Sequence, residues 1–140
     1  MLELVGFRGQ LNIEVRHVQL KPVGDYGMMR WHVAVQAYEL TGEHDEIYIW
    51  PTNYERFLQE ITRLEQYRQG TALLTSTGQV QLQLKFRSVD KLGHTIVEGQ
   101  LGDYSYVGDG FFLQNINFAF EFDPTLLPGL VRQFTAFKTW

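Results

Sequence analysis

Residues 51–70 read PTNYERFLQEITRLEQYRQG. Apolar side chains fall at Tyr54, Phe57, Leu58, Ile61 and Leu64, with Tyr67 as a marginal last member. That i, i+3, i+4, i+7 spacing is one buried face of a helix. Thr52 is in place to cap its start, with Glu55 reaching back to complete a capping box. Gly70 suits the left-handed position beyond its end, because it has no Cβ to clash. The outer face carries Arg56, Gln59, Glu60 and Arg63, with Arg56 and Glu60 spaced for an i, i+4 pair. Such a helix needs a flat apolar surface to lie on, and Leu58 and Ile61 are expected to be fully buried there.

The chain on both sides alternates as β-strands do. Leu2–Phe7 and Leu11–Lys21 are the first strands, joined by Arg8, Gly9 and Gln10. In the second, Leu11, Ile13 and Val15 share a face before Val18 and Leu20 shift to the other, which predicts a bulge. Lys21–Gly27 is turn-rich. Met28–Leu40 is a long strand with Trp31, Val33, Val35 and Ala37 on one face. Thr41–Asp45 is expected to turn the chain, and Glu46–Trp50 to run into the helix. Beyond Gly70, Thr71–Ser76 and Gln79–Val89 flank a Thr77-Gly78 turn, and Val80, Leu82, Leu84 and Phe86 point inward. Asp90–His94 is a tight turn before Thr95–Leu101. Gly102–Gly110 is expected as a second loop, and Asn115–Phe122 as a last strand with Ile116, Phe118, Phe120 and Phe122 on one face. Thr125 then caps a second helix with Pro128 in its first turn. Leu126, Leu127, Leu130, Val131, Phe134 and Phe137 give it an apolar stripe.

No repeat, linker or low-complexity segment interrupts the 140 residues, which fit one domain. The order of elements predicts an α+β fold: an antiparallel sheet or open sandwich of six or more strands, with two amphipathic helices on its apolar face. A lipocalin-like closed barrel is the competing architecture.

Composition narrows the chemistry. Without cysteine, disulfides, thiolate catalysis and cysteine-based metal sites are excluded. The first residues have no basic or continuous apolar signal region, and no stretch approaches a membrane span. Net charge is −4, and the densest basic cluster, Arg63 to Arg68, is diluted by neighbouring glutamates, so a nucleic-acid partner lacks its electrostatic footprint. The acidic balance serves solubility or a basic protein partner. His17, His32, His44 and His94 never pair at metal-ligand spacing, and His44-Asp45-Glu46 would point three ways from a turn. No P-loop, G-x-S-x-G or dinucleotide fingerprint is present. No catalytic residue, metal ligand or cofactor is therefore assigned.

One aromatic cluster escapes the core periodicity. Tyr26 aside, it is the run from Asp103 to Phe112, with Tyr104 and Tyr106 between glycines and flanked by Asp103 and Asp109. If extended, Tyr104 and Tyr106 share a side. Asp103, Tyr104, Tyr106 and Asp109 are thus the candidate partner-binding residues, suited to Lys- or Arg-rich surfaces. A loop folded back over the core is the competing account.

The strand Trp31–Leu40, the strand-to-helix segment Ile47–Leu64, the hairpin 79–101 and the ending from Phe118 to Leu130 together resemble, in element order, small bacterial proteins of the WapI-type immunity family and their relatives. The resemblance implies a cytoplasmic protein that blocks a toxin by direct binding, and it carries over no functional residue. The expectation is thus a non-enzymatic interaction protein. The alternative is a small-ligand binder or enzyme with a pocket between the sheet and helix 54–67, near His32, Gln36 and Tyr38.

Overall fold

A computed structural model describes residues 1–18, 28–77 and 81–138, apart from the side chains of His17 and Val18. The expected loop Lys21–Gly27 with Tyr26, the Leu20 position, Gly78 and Val80 lie outside the described residues. The chain forms β1 (Leu2–Gly6), β2 (Gly9–Val18), β3 (Met29–Ala37), β4 (Leu40–Ile49) and α1 (Pro51–Tyr67). It continues with β5 (Thr71–Thr75), β6 (Leu82–Ser88), β7 (Thr95–Val107), β8 (Gly110–Phe122), a 3-10 turn at Pro124–Leu126 and α2 (Leu127–Ala136). The strands make two antiparallel sheets, ordered β1-β2-β3-β4 and β5-β6-β7-β8. The fold is α+β, an open two-sheet arrangement rather than a closed barrel. Four strands in sequence followed by a helix occur twice, a repetition of architecture that the residues do not advertise.

Alternation builds the interior. Trp31, Val33, Val35 and Ala37 of β3, Leu11 and Ile13 of β2, and Leu82, Leu84 and Phe86 of β6 are all buried. The phase change in β2 is a register shift between Val15 and His17. The sheets approach closely where side chains are missing: a Cβ on Gly9 would sit 2.1 Å from the Phe120 ring, and one on Gly42 would sit 2.5 Å from Ile116.

The helices join the sheets through aromatic rings. Phe134 of α2 lies 6.4 Å from Trp31 of β3, 4.9 Å from Phe57 of α1 and 5.9 Å from Phe86 of β6. Tyr54 meets Trp31 edge-on and donates its hydroxyl to the Phe134 carbonyl. Burial pushes the Tyr54 phenol far above its ordinary range. Ile61 is completely buried as expected, and Leu58 nearly so.

Both ends of α1 differ from expectation. Pro51, with φ preset and no N–H to lose, opens the helix one residue before Thr52. Trp50 is therefore the cap, its carbonyl accepting from Tyr54 N–H at 3.0 Å. At the other end Arg68, not Gly70, takes the left-handed cap with φ 56°. Its guanidinium offsets that strain by donating to the carbonyls of Glu65 and Pro124, both at 2.9 Å. Tyr67 lies exposed on the far side. Glu60 accepts from the Leu73 amide at 3.0 Å, covering part of the outer edge of β5. Asp123, not Thr125, caps the turn before α2.

The chain reverses between β3 and β4 at Tyr38 and Glu39, with Tyr38 at φ 58°. Thr41–Asp45 is therefore strand, not turn. A register shift falls between the pairs Trp31↔Ile47 and Val33↔His44. The bulge puts His44 and Ile47 on the same face, although they are three apart.

Candidate partner-binding surface

β6 stops at Leu82, which pairs with Leu101, while β7 and β8 continue together to Val107↔Gly110. Among the described residues, the far half of this hairpin is a two-stranded arm. The expected loop Gly102–Gly110 is in fact strand up to Val107, closed by a turn at Gly108 and Asp109 with Gly108 at φ 63°. Tyrosine, valine and phenylalanine favour the pleated strand, and a Gly-Asp pair suits a two-residue hairpin. Gly102 is required by close approach rather than by looseness: a Cβ there would lie 2.2 Å from the Gln114 carbonyl oxygen.

The register sorts the arm's side chains. Tyr104 and Tyr106 share the outer face with their partners Leu113 and Phe111. Phe111 stacks on Tyr104 at 4.8 Å and leans on Tyr106 at 4.7 Å. Phe112, paired with Ser105, stands on the opposite face. Tyr106 is 83% exposed and Phe111 55%, and Phe112, Val107, Tyr104 and Leu113 are exposed as well. A contiguous apolar surface of this kind marks a contact site more often than a stray residue does.

Asp103 does not stand beside the tyrosines. It faces inward at the root of the arm, where its carboxylate accepts from His44 Nε2 at 2.9 Å and from Gln81 at 3.5 Å. His44 Nδ1 in turn accepts from the Glu46 amide at 3.0 Å, which leaves Nε2–H to donate. Partial burial raises the Asp103 pKa, but the bonds from His44, the Tyr104 amide and Gln81 outweigh it and hold it below the ordinary carboxylate value. Asp103 thus clasps the arm to β4, and Asp109 sits exposed in the tip turn. Of the expected residues, Tyr104 and Tyr106 come together, Asp109 lies beyond them and Asp103 is a hinge-side anchor. Phe111 and Leu113 complete the surface, with Phe112 on the reverse face of the ribbon. Pairing residues across Gly108-Asp109 would have placed Phe111 opposite Tyr106 from sequence alone.

Two further histidines are tied into pairs with carboxylates. His32 meets Glu43 at Nε2 (2.9 Å) and Asp45 at Nδ1 (3.0 Å), on opposite edges of its ring, so the two carboxylates do not converge on one point. The bond from His32 leads the causes that lower the Asp45 pKa. His94 lies 2.5 Å from Asp90 in a surface turn. His32 and Gln36 lie on the side of β3 away from the core, and Tyr38 lies exposed in the turn after it; Gln36 lines an open hollow of about 490 Å³ with Gln10, Asn12 and Glu43. The space facing α1 is filled by Trp31, Phe57, Phe86 and Phe134. Among the described residues no group of three or more His, Asp or Glu side chains is placed to hold a metal ion, and no helix is long and apolar enough to cross a membrane.

No family model, curated protein or solved structure matches the chain.

Proposed function

We propose that this chain is a non-enzymatic interaction protein whose contact surface is the distal half of the β7–β8 hairpin. The carrying observation is the stacked set Tyr104, Tyr106 and Phe111, solvent-facing on a paired and therefore preorganised ribbon. Rigid aromatic side chains give large contact area at low entropic cost. Between His94 and Arg132 the sequence holds five carboxylates and neither lysine nor arginine. This charge suits a basic protein partner and disfavours nucleic acid. The resemblance to the WapI-type immunity family would make the partner a toxin and the compartment the cytoplasm. The ligand-binding alternative draws less support, because rings occupy the space between α1 and the sheets.

The test is affinity capture from the source cell with the wild-type protein and with Tyr106→Ala plus Phe111→Ala. A basic protein retained by the first and lost by the second is expected. Equal retention by both, or turnover of a substrate by the purified protein, would overturn the reading.

A further inference from the structure

Among the described residues, the outer edge of β8 is a row of unused backbone groups. β8 ends its sheet, and its one further bond among the described residues is from the Phe7 amide to the Glu121 carbonyl, across an isolated bridge. Since Glu121 points its carbonyl away from β7, the two-residue period of the strand aims the N–H and C=O of Phe111, Leu113, Asn115, Asn117 and Ala119 outward too. The open edge runs about 30 Å. Sheet edges are ordinarily blocked by lysine, proline, bulges or a covering element. β5 is covered in this way, by Glu60 of α1 on the Leu73 amide. From Gly110 to Phe120, β8 has no charged residue, no proline and an unbroken register with β7.

Deepening the interaction reading above, and resting on it, we infer that the β8 edge binds an extended segment of a protein partner by strand addition, and that this segment carries basic residues at its ends. Backbone bonds to the odd-numbered residues supply the docking, while side chains of the added strand lie beside Phe111 and Leu113 on one face and Phe112 on the other. The charge assignment comes from the ends of the edge, where Asp109 and Glu121 stand. The same carboxylates disfavour a second copy of this chain. The antiparallel self-pairing that uses the whole edge centres on Asn115 and sets each Asp109 directly across from a Glu121, which is repulsive.

The probe is a capped peptide alternating valine and threonine with a lysine at each end, beside a glutamate-ended twin and a twin N-methylated on alternate residues. Binding is read by amide hydrogen exchange of the intact protein. The lysine peptide is expected to slow exchange at Phe111, Leu113, Asn115, Asn117 and Ala119. The glutamate twin should bind at least about tenfold more weakly, and the N-methylated twin should not bind. Asn115→Pro removes an outward N–H and no β7 bond, so it should abolish binding; the N-methylated peptide makes the same test on unaltered protein. Equal protection by all three peptides, or none by any, overturns the inference. Concentration-dependent dimerisation lost in Asn115→Pro would overturn it in favour of a second copy. If a captured partner is lost with Tyr106→Ala yet binds Asn115→Pro normally, the edge assignment fails while the interaction reading stands.

Discussion

Replacing Tyr106 by Ala separates a binding arm from a folded-back loop, because the two accounts predict different stabilities. Tyr106 is 83% exposed, so less than a fifth of it is covered, mostly by Phe111. A covered tyrosine buries ~150–250 Å², and at ~25 cal/mol per Å² the covered part of Tyr106 contributes about 1 kcal/mol at most. Tyr104 is 44% exposed. Alanine keeps the Cβ, and the unfolded chain is itself partly collapsed, so the double change Tyr104→Ala, Tyr106→Ala should cost about 1–3 kcal/mol. By contrast Phe134→Ala, which empties the junction of both helices and both sheets, should cost about 3–5 kcal/mol. Urea unfolding followed by fluorescence of the buried Trp31 measures all three. The double variant should meanwhile lose a few kcal/mol of partner affinity, as interface anchors do. A loss of more than about 2 kcal/mol of stability in Tyr106→Ala alone would refute the reasoning, since the ring would then be holding the fold together.

Ile61→Ala should destabilise by roughly 2–5 kcal/mol, and Leu58→Ala, nearer the rim, by the lower end of that range; near-native urea midpoints would mean that α1 does not pack as described. Gly9→Ala should cost about 1–3 kcal/mol by overpacking, since the new methyl would sit 2.1 Å from the Phe120 ring, and a neutral result in thermal melts would disprove that contact. The folded-state pKa of Asp103 lies below its ordinary 3.8, so its stabilising effect is present above that value and is lost as pH falls through the lower folded value. Wild type should therefore exceed Asp103→Ala in stability at neutral pH and converge with it in strong acid, and a gap that persists at the lowest pH would contradict the clasp.

Where one face of an element is buried along its whole length, the residues announced it. The 3.6-residue spacing of Tyr54, Phe57, Ile61 and Leu64 and the alternation in β3 and β6 are direct records of burial. β4 was illegible for the same reason. Its first half, Leu40 to Glu46, is largely exposed, and the bulge near Asp45 breaks the period that would have shown a strand. Spacing does not reveal the ends of α1, because Pro51 and Arg68 act through backbone geometry and distant carbonyls. In the arm, glycine and aspartate suggested a loop, whereas only one two-residue turn is needed. Tyr104 and Tyr106 were found together because alternation holds in any extended chain. The role of Asp103 is not legible from its neighbours, because its partner, His44, comes from another sheet.

The hairpin itself carries the strongest argument that its tip serves contact rather than packing. Along the inner face of β8, Phe122, Phe120 and Phe118 are buried, Ile116 is half-buried, and Phe112 on the same face is 52% exposed. Gln114, opposite Asp103, interrupts the apolar residues of this face, but Phe112 resumes them beyond it; what ends is the opposing sheet. Gly6, Gly9 and Gly42 let that sheet close upon Phe120 and Ile116, and the clasp from His44 to Asp103 marks its last hold on the arm. Beyond it the chain spends apolar side chains on solvent while keeping every β7–β8 pair to the turn. A segment with no core to complete would lose only the modest cross-strand contribution of these rings by carrying polar residues there. The aromatic residues of the tip are thus best explained by a surface that meets them from outside.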